Sequence, residues 1–355
     1  MFCRLLLALA LLSLPVAAER PEVDKIVQTP VFEVRLGSAL SSEAFTSRLF
    51  SIRRHLVGEL GWIVPGTRFT PDPTLAPGEY QILRDGQPLG RARLEPGQVL
   101  AIGPESKLES LTGTLTHDPT YQMPGKWAPA AEKAGLEAKG LMVFEPTSVW
   151  ATQMTELLRE SASDWYTPDQ LQAGLAVLQS EQPALVNRFH TDPAAFARLL
   201  AVIRNLLRER VCVRDLATLG EVALQSGKDP DSLSEAARRK LAGSILADVS
   251  TDRVLQIVEV GPKLEAALCK LGSYGPQGLV LSEDPLLQSE VLPAMKRAVG
   301  TMQDKGLMPV LVTSPASRLI LRRLTAKEYP NSVILGRDEL LPYYKAESVG
   351  TIEIK

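Results

Sequence analysis

Side chains with catalytic or metal-binding repertoires are sparse and scattered. The three histidines, His55, His117 and His190, stand far apart. None forms an H-x-x-x-H pair or adjoins a cysteine pair, so the spacing gives no metal site. G-x-S-x-G, the Walker lysine loop and G-x-G-x-x-G are all missing, and no cofactor is expected. The run "LLRERVCVRDLATLGEVAL" (206–224) sets Arg214 beside Asp215. An Arg-Asp-Leu sequence serves phosphoryl transfer only with a Gly-rich loop and a downstream magnesium-binding Asp, and both are lacking. Asp215 is instead placed to cap a helix carrying Leu216, Leu219 and Val222. Val211 and Val213 then make a short β-type link, and Arg214 pairs locally. With no nucleophile–base pair and no metal constellation, the sequence is not that of an enzyme.

Two helices joined by a tight turn also suit DNA binding. From Arg204 to Lys240, however, eight Lys/Arg face six Asp/Glu, too small a surplus to neutralise phosphates. The arrangement reads as winged-helix-like scaffolding, with no nucleic acid as partner. A net charge of −2 and 5% aromatic residues agree. Of the three cysteines Cys3 stands in the extreme N-terminal segment; Cys212 and Cys269 sit among apolar neighbours and read as small buried hydrophobes, since two cysteines give no disulfide framework. What remains is "HDPTYQMPGKWAPA" (117–130), a Pro/Gly-shaped loop with Tyr121 and Trp127. Such aromatics either form a recognition surface or close a small β-rich unit over its core.

The 355 residues suffice for two to four units. Residues 1–18 have Arg4, then an apolar run over 5–18 broken by Pro15, then small residues before Glu19. That is the pattern of a signal peptide or, failing cleavage, a short anchor, because a spanning helix needs about 20 apolar residues. After a linker at 19–29, "TPVFEVRLGSAL" alternates as a strand. Phe45, Leu49, Ile52, Leu56, Val57 and Leu60 repeat at helical spacing until Gly61. "RDGQP" marks a hairpin through Asp85–Gly86, and "WAPAAEKAGLE" (127–137) predicts a short helix. Explicit helix starts follow at Thr167 with Gln170, at Asp192–Pro193, and at Ser232 with Glu235. Beyond 250 strand-like and helical runs alternate, which implies an α/β unit with at least one βαβ crossover. "GSYGPQG" (272–278) reads as a flexible loop, and "SPAS" (314–317) as a cap after a strand.

Taken in order, "SRLFSIRRHLVGELGWIVP", "EYQILRDGQPLG", "HDPTYQMPGKWAPAAEKAG", "EPTSVWATQMTELLRE", "LLRERVCVRDLATLGEVAL", "PVLVTSPASRLILRRL" and "VILGRDELLPYYKAESVGTIEI" resemble the cytoplasmic domain of the flagellar and type III secretion export-gate family, FHIPEP. The resemblance runs from about 30 to 355. It implies an α+β, α/β multi-subdomain fold. The expected parts are a first α/β subdomain (30–96 plus 146–164) and a β-rich insertion (97–145). A helical winged-helix-like subdomain (165–250) and a C-terminal α/β subdomain (251–355) complete it.

The resemblance further implies a nine-membered homo-oligomeric ring that docks secretion chaperones or export substrates and meets other export-apparatus components. Motif by motif, its docking residues fall on Asp118, Tyr121 and Thr152. Asp118 would offer a carboxylate, Tyr121 an anchor and Thr152 a hydroxyl at the cleft edge. The family pattern has Phe at the position of Tyr121 and His at that of Gln153, and its Arg-Asp-Asn run is here "FTPDP" (69–73). The family's large N-terminal membrane portion has no counterpart, and a signal-like segment stands in its place. That combination implies a stand-alone, non-enzymatic docking protein of the cell envelope, exported or attached to the inner membrane. The alternative is an exported or envelope-attached scaffolding relative that keeps the fold without chaperone docking.

Overall fold

The structure, a computed structural model, describes residues 32–282 and 285–354; the signal-like segment 1–18 and the linker 19–29 lie outside them. The described chain gathers into two compact units, one holding residues up to 55 plus 64–158, the other 56–63 plus 159–355.

In the first unit, strand β1 (Phe32–Leu36) alternates as its sequence predicts, with Phe32, Val34 and Leu36 buried. It pairs in parallel with β2 (Thr67–Pro71) and antiparallel with β3 (Glu79–Arg84). The parallel pairing requires a crossover, supplied by helix α1 (Ser42–Leu60). Phe45, Leu49, Ile52, Leu56 and Leu60 of α1 are buried. Val57 departs from the expected stripe and is exposed, because it lies one position round the helix from Leu56. Gly61, at φ 70°, ends α1 as expected, and a Cβ there would strike Arg214. Strand β4 (Gln87–Arg93) closes the sheet through Asp85 and Gly86, both at positive φ, as a two-residue hairpin requires.

The second sheet of this unit is antiparallel, in the order β6 (Thr114–His117), β7 (Pro124–Pro129), β5 (Gln98–Ile102), β8 (Met142–Phe144). Helices α2 (Glu105–Leu108) and α3 (Lys133–Ala138) accompany it. Val99, Ala101, Leu108, Leu111, Ala128, Leu136 and Leu141 form its core. The helix expected over 127–137 is shorter: Trp127 belongs to β7 and is buried, and α3 begins at Lys133. Helix α4 (Pro146–Trp165) buries Trp150 against Phe45, whose ring meets it edge-on with centroids 4.8 Å apart.

The second unit contains helices α5 (Pro168–Leu178), α6 (Pro183–Thr191), α7 (Pro193–Arg208), α8 (Leu216–Ala223), α9 (Pro230–Lys240) and α10 (Ala242–Val249). Thr167 and Gln170 make a reciprocal capping box at α5. Asp192 caps α7 through the N–H groups of Ala194 and Ala195, and Asp215 caps α8 by accepting from the Thr218 N–H at 3.0 Å. The start of α9 differs from expectation. Its cap is Asp229, ahead of Pro230, and Ser232 lies inside the first turn. Asp-Pro fixes the boundary earlier because Pro fits the first helical position. The link 211–214 turns in buried Val211 and Val213, and Arg214 Nε donates to Cys212 Sγ at 3.2 Å.

Strands β9 (Val254–Val260), β12 (Val310–Thr313), β13 (Val333–Gly336) and β14 (Lys345–Ile352) form a wholly parallel sheet in the order β13-β12-β9-β14. Helices α11 (Pro262–Leu271), α12 (Pro285–Asp304) and α13 (Pro315–Thr325) connect them. Residues 272–281, expected as a flexible loop in part, form a β-hairpin of β10 (Gly272–Gly275) and β11 (Gly278–Leu281). Its strands are too short and glycine-rich to announce themselves. Cys212 and Cys269 are free, but neither is a buried hydrophobe: Cys212 is half-buried and Cys269 exposed. The inward stripe of α11 is Leu264, Ala267, Leu268 and Leu271, which turns Cys269 outward.

Arg318 of α13 joins the helical layer to the sheet layer. Its side chain is 1% exposed and contacts Glu209, with Nη1 at 2.7 Å, and Glu235. Arg238 bonds Glu339 at 2.7 Å and Glu209 at 3.1 Å. Burial by itself would raise the Glu209 carboxyl, but Arg318 and Arg238 outweigh it and hold the group at about 2. Replacing Arg318 by Met is expected to cost about 3–5 kcal/mol, since it leaves buried carboxylates uncompensated; a lower urea midpoint measures it. The depressed Glu209 adds stability that is present above its ordinary value of 4.5 and is lost as pH falls towards 2. In Glu209→Gln, stability between pH 4.5 and 2 is therefore expected to fall less steeply than in the parent in an acid-unfolding titration.

Candidate functional site

Among the described residues no group of His, Cys, Asp and Glu could hold a metal ion, and His55, His117 and His190 are each exposed on separate elements. The expected recognition residues all lie in the first unit, where β6 turns back into β7 alongside α4.

The turn between these strands is built by Asp118. Its carboxylate is 4% exposed, and Oδ2 accepts the N–H groups of Thr120 at 3.1 Å and Tyr121 at 2.6 Å. Its own N–H donates to the Met123 carbonyl at 2.8 Å, and its carbonyl accepts from the Gln122 N–H at 3.0 Å. Asp is suited to this because its short side chain folds back on N–H groups two and three residues ahead. Asp118 therefore does not present a free carboxylate to solvent. It holds the loop that carries Tyr121.

Tyr121 is 50% exposed, and its hydroxyl donates to Glu156 Oε1 at 3.2 Å. Thr152 is half-buried one turn before Glu156, so the two share a face of α4. The Thr152 hydroxyl donates to the Ser148 carbonyl at 3.0 Å. Tyr121 and the Thr152–Glu156 face are thus neighbours, with an amphipathic ring laid along a helix. The two aromatics divide: Tyr121 is exposed, while Trp127 is buried in β7 on the face opposite Ala128 and the small sheet's core.

Sequence reasoning passed over the supports beneath this surface. Buried Gln153 accepts from the Tyr80 hydroxyl at 2.5 Å and donates through Nε2 to the Pro119 carbonyl at 3.2 Å. One amide thereby ties β3, α4 and the 118–123 loop together. Burial, and then the nearby Asp118, push the Tyr80 phenol far above its ordinary range, so it stays a neutral donor. Gly90 allows the approach of α4 to β4, since a Cβ there would stand 3.0 Å from Leu157. Gln153 and Glu156 flank the flagged Thr152, and Tyr80 occupies an inward position of an alternating strand; those were the available signals.

These groups offer hydrogen bonds, apolar area and one carboxylate, which is equipment for recognition. Gln153→Leu is expected to destabilise the protein by about 1–3 kcal/mol by orphaning the Tyr80 hydroxyl and the Pro119 carbonyl. Adding Tyr80→Phe is expected to recover part of that loss, measured as a coupling energy from denaturant unfolding.

The FHIPEP family model matches residues 15–345. The Bacillus subtilis "Flagellar biosynthesis protein FlhA" is 26% identical over 325 residues, covering 90% of this chain and 48% of its own length. The chain spans about half the length of the curated relatives it matches. Chlamydia pneumoniae CdsV, solved in complex with CdsO, superposes with a TM-score of 0.77 at 22% identity, over 92% of this chain and 98% of its own. Nonameric EPEC SctV-C gives 0.72 at 17% identity, over 91% and 98%. The solved structures share the fold. Among the described residues no helix is long and apolar enough to cross a membrane.

Proposed function

The chain belongs to the FHIPEP family, and on that premise we propose that it is a non-enzymatic docking component of a flagellar-type or type III protein export apparatus. It receives secretion chaperones or export substrates on the surface made by Tyr121 and the Thr152–Glu156 face of α4. The observation that carries the reading is the exposed Tyr121 ring, fixed in place by the buried Asp118 carboxylate. Tyr121 supplies apolar area with a polar tip, as interface anchors do. Thr152 borders it, and Asp118 acts by positioning the loop. Ring assembly belongs to the same proposal, on the strength of the nonameric SctV-C relative, and another export-apparatus component is a further expected partner, as CdsO is found in complex with CdsV. We place the chain at the cell envelope through residues 1–18, and fractionation with mass spectrometry of the N-terminus tests that placement.

Tyr121→Ala is expected to weaken binding of a cognate chaperone at least ten-fold by calorimetry, about 1.4 kcal/mol, without changing the melting temperature. Unchanged affinity in Tyr121→Ala and Thr152→Ala would remove the docking role from this surface. The scaffolding reading would then stand if the protein still sedimented as a ring.

A further inference from the structure

The second unit carries a basic trough that the docking surface does not use. A cleft of about 320 Å³ opens where the end of α7, the start of the second unit in α4, and the segment after α13 converge. Arg159, Arg208, Arg210, Arg322 and Lys327 line it, against a single carboxylate, Glu160. Arg159 is held in a two-pronged pair with Glu59 at 2.8 and 2.7 Å. Arg208 and Arg322 direct donors to neutral oxygens. Arg208 donates to Asn205 Oδ1 at 2.9 Å, and Arg322 to the carbonyls of Ser332 at 3.1 Å and Pro330 at 3.2 Å. Burial lowers the Arg322 guanidinium from its ordinary value; Glu209 opposes that shift, while Arg210, Arg318 and Arg238 reinforce it. The cleft lining thus holds five cationic side chains and one carboxylate.

A second cleft, of about 340 Å³, shares Arg208, Arg322 and Ala326 with the first, so the two adjoin. Its carboxylates are already engaged. Glu209 is held by Arg318 and Arg238, and Asp231 by Arg323 at 2.6 Å and by the Leu279 N–H at 2.7 Å. Two adjoining clefts suit an extended chain better than one tetrahedral ion. Ala326 and Pro330 add apolar surface beside the cations. Among the described residues no aromatic ring lines either cleft, which withholds the stacking platforms that single-stranded nucleic acids use.

We propose that this trough docks an acidic segment of a protein partner, an extended stretch presenting several carboxylates with aliphatic side chains between them. Arginine forks match carboxylates two donors at a time, and such rim charges chiefly govern encounter rate and partner choice. The proposal is independent of docking at Tyr121.

A fluorescein-labelled heptapeptide of alternating glutamate and leucine, titrated with the full chain by anisotropy, tests it. Arg208 and Lys327 are both exposed, so the double variant Arg208→Glu, Lys327→Glu is expected to keep its melting temperature. It should lose at least ten-fold in peptide affinity, as should a glutamine version of the peptide, and binding should weaken as salt rises. Tyr121→Ala should bind the peptide as the parent does. Equal affinity of the parent and the charge-reversed protein would overturn the proposal. So would displacement of the peptide by equimolar inorganic phosphate, or tighter binding of an oligothymidylate.

Discussion

Arg318 sits 1% exposed between Glu209 and Glu235, and nearly everything in the second unit is arranged around that buried cation. A guanidinium removed from water must be surrounded by acceptors, and here they arrive from three places: the residue after α7, the middle of α9, and, through Arg238, the turn after β13. The apolar cores on either side could slide without large loss, because dispersion and hydrophobic burial are non-directional. The ion cluster cannot slide, because each bond has a direction and each lost partner leaves charge in a poor dielectric. Its contribution is better described as alignment of the helical layer on the parallel sheet than as net stability.

The first unit solves a smaller problem in a similar way. Its first sheet, α1 and α4 are held by Trp150, Phe45 and Phe69 in contact, and the polar seam of Tyr80, Gln153 and Pro119 ties β3 and α4 to the 118–123 loop. Tyr121 is exposed only because this seam and the Asp118 turn fix the loop beneath it. The exposed ring therefore rests on buried polar atoms beneath it.

Local signals were readable wherever physics is local. Thr167 with Gln170, Asp192 before Pro193, Asp215, and the Asp85–Gly86 turn each act on N–H groups or dihedrals within four residues, and each stands where the sequence placed it. Two signals competed at α9, and Asp229–Pro230 prevailed over Ser232 because proline sets the boundary. The hairpin at 272–281 escaped notice because its strands are four residues each and glycine-flanked. Cys269 shows the limit of composition: an apolar neighbourhood in sequence does not say which side of an element faces inward. The Arg318–Glu209 contact joins residues 109 apart, and Gln153 meets Tyr80 across 73. Such pairings depend on the assembled topology, so the supports of the candidate site were illegible while its landmarks were not.

The Asp118 turn has a kinetic meaning. Each N–H it captures is conformational freedom surrendered during folding, so a partner meeting Tyr121 finds a ring already aimed and need not order the loop itself. Encounters with well-matched partners can then proceed without a slow rearrangement, and ill-matched ones gain little from adaptation. A surface set in this manner favours rapid sampling and rejection, the behaviour suited to sorting many passing chains in turn.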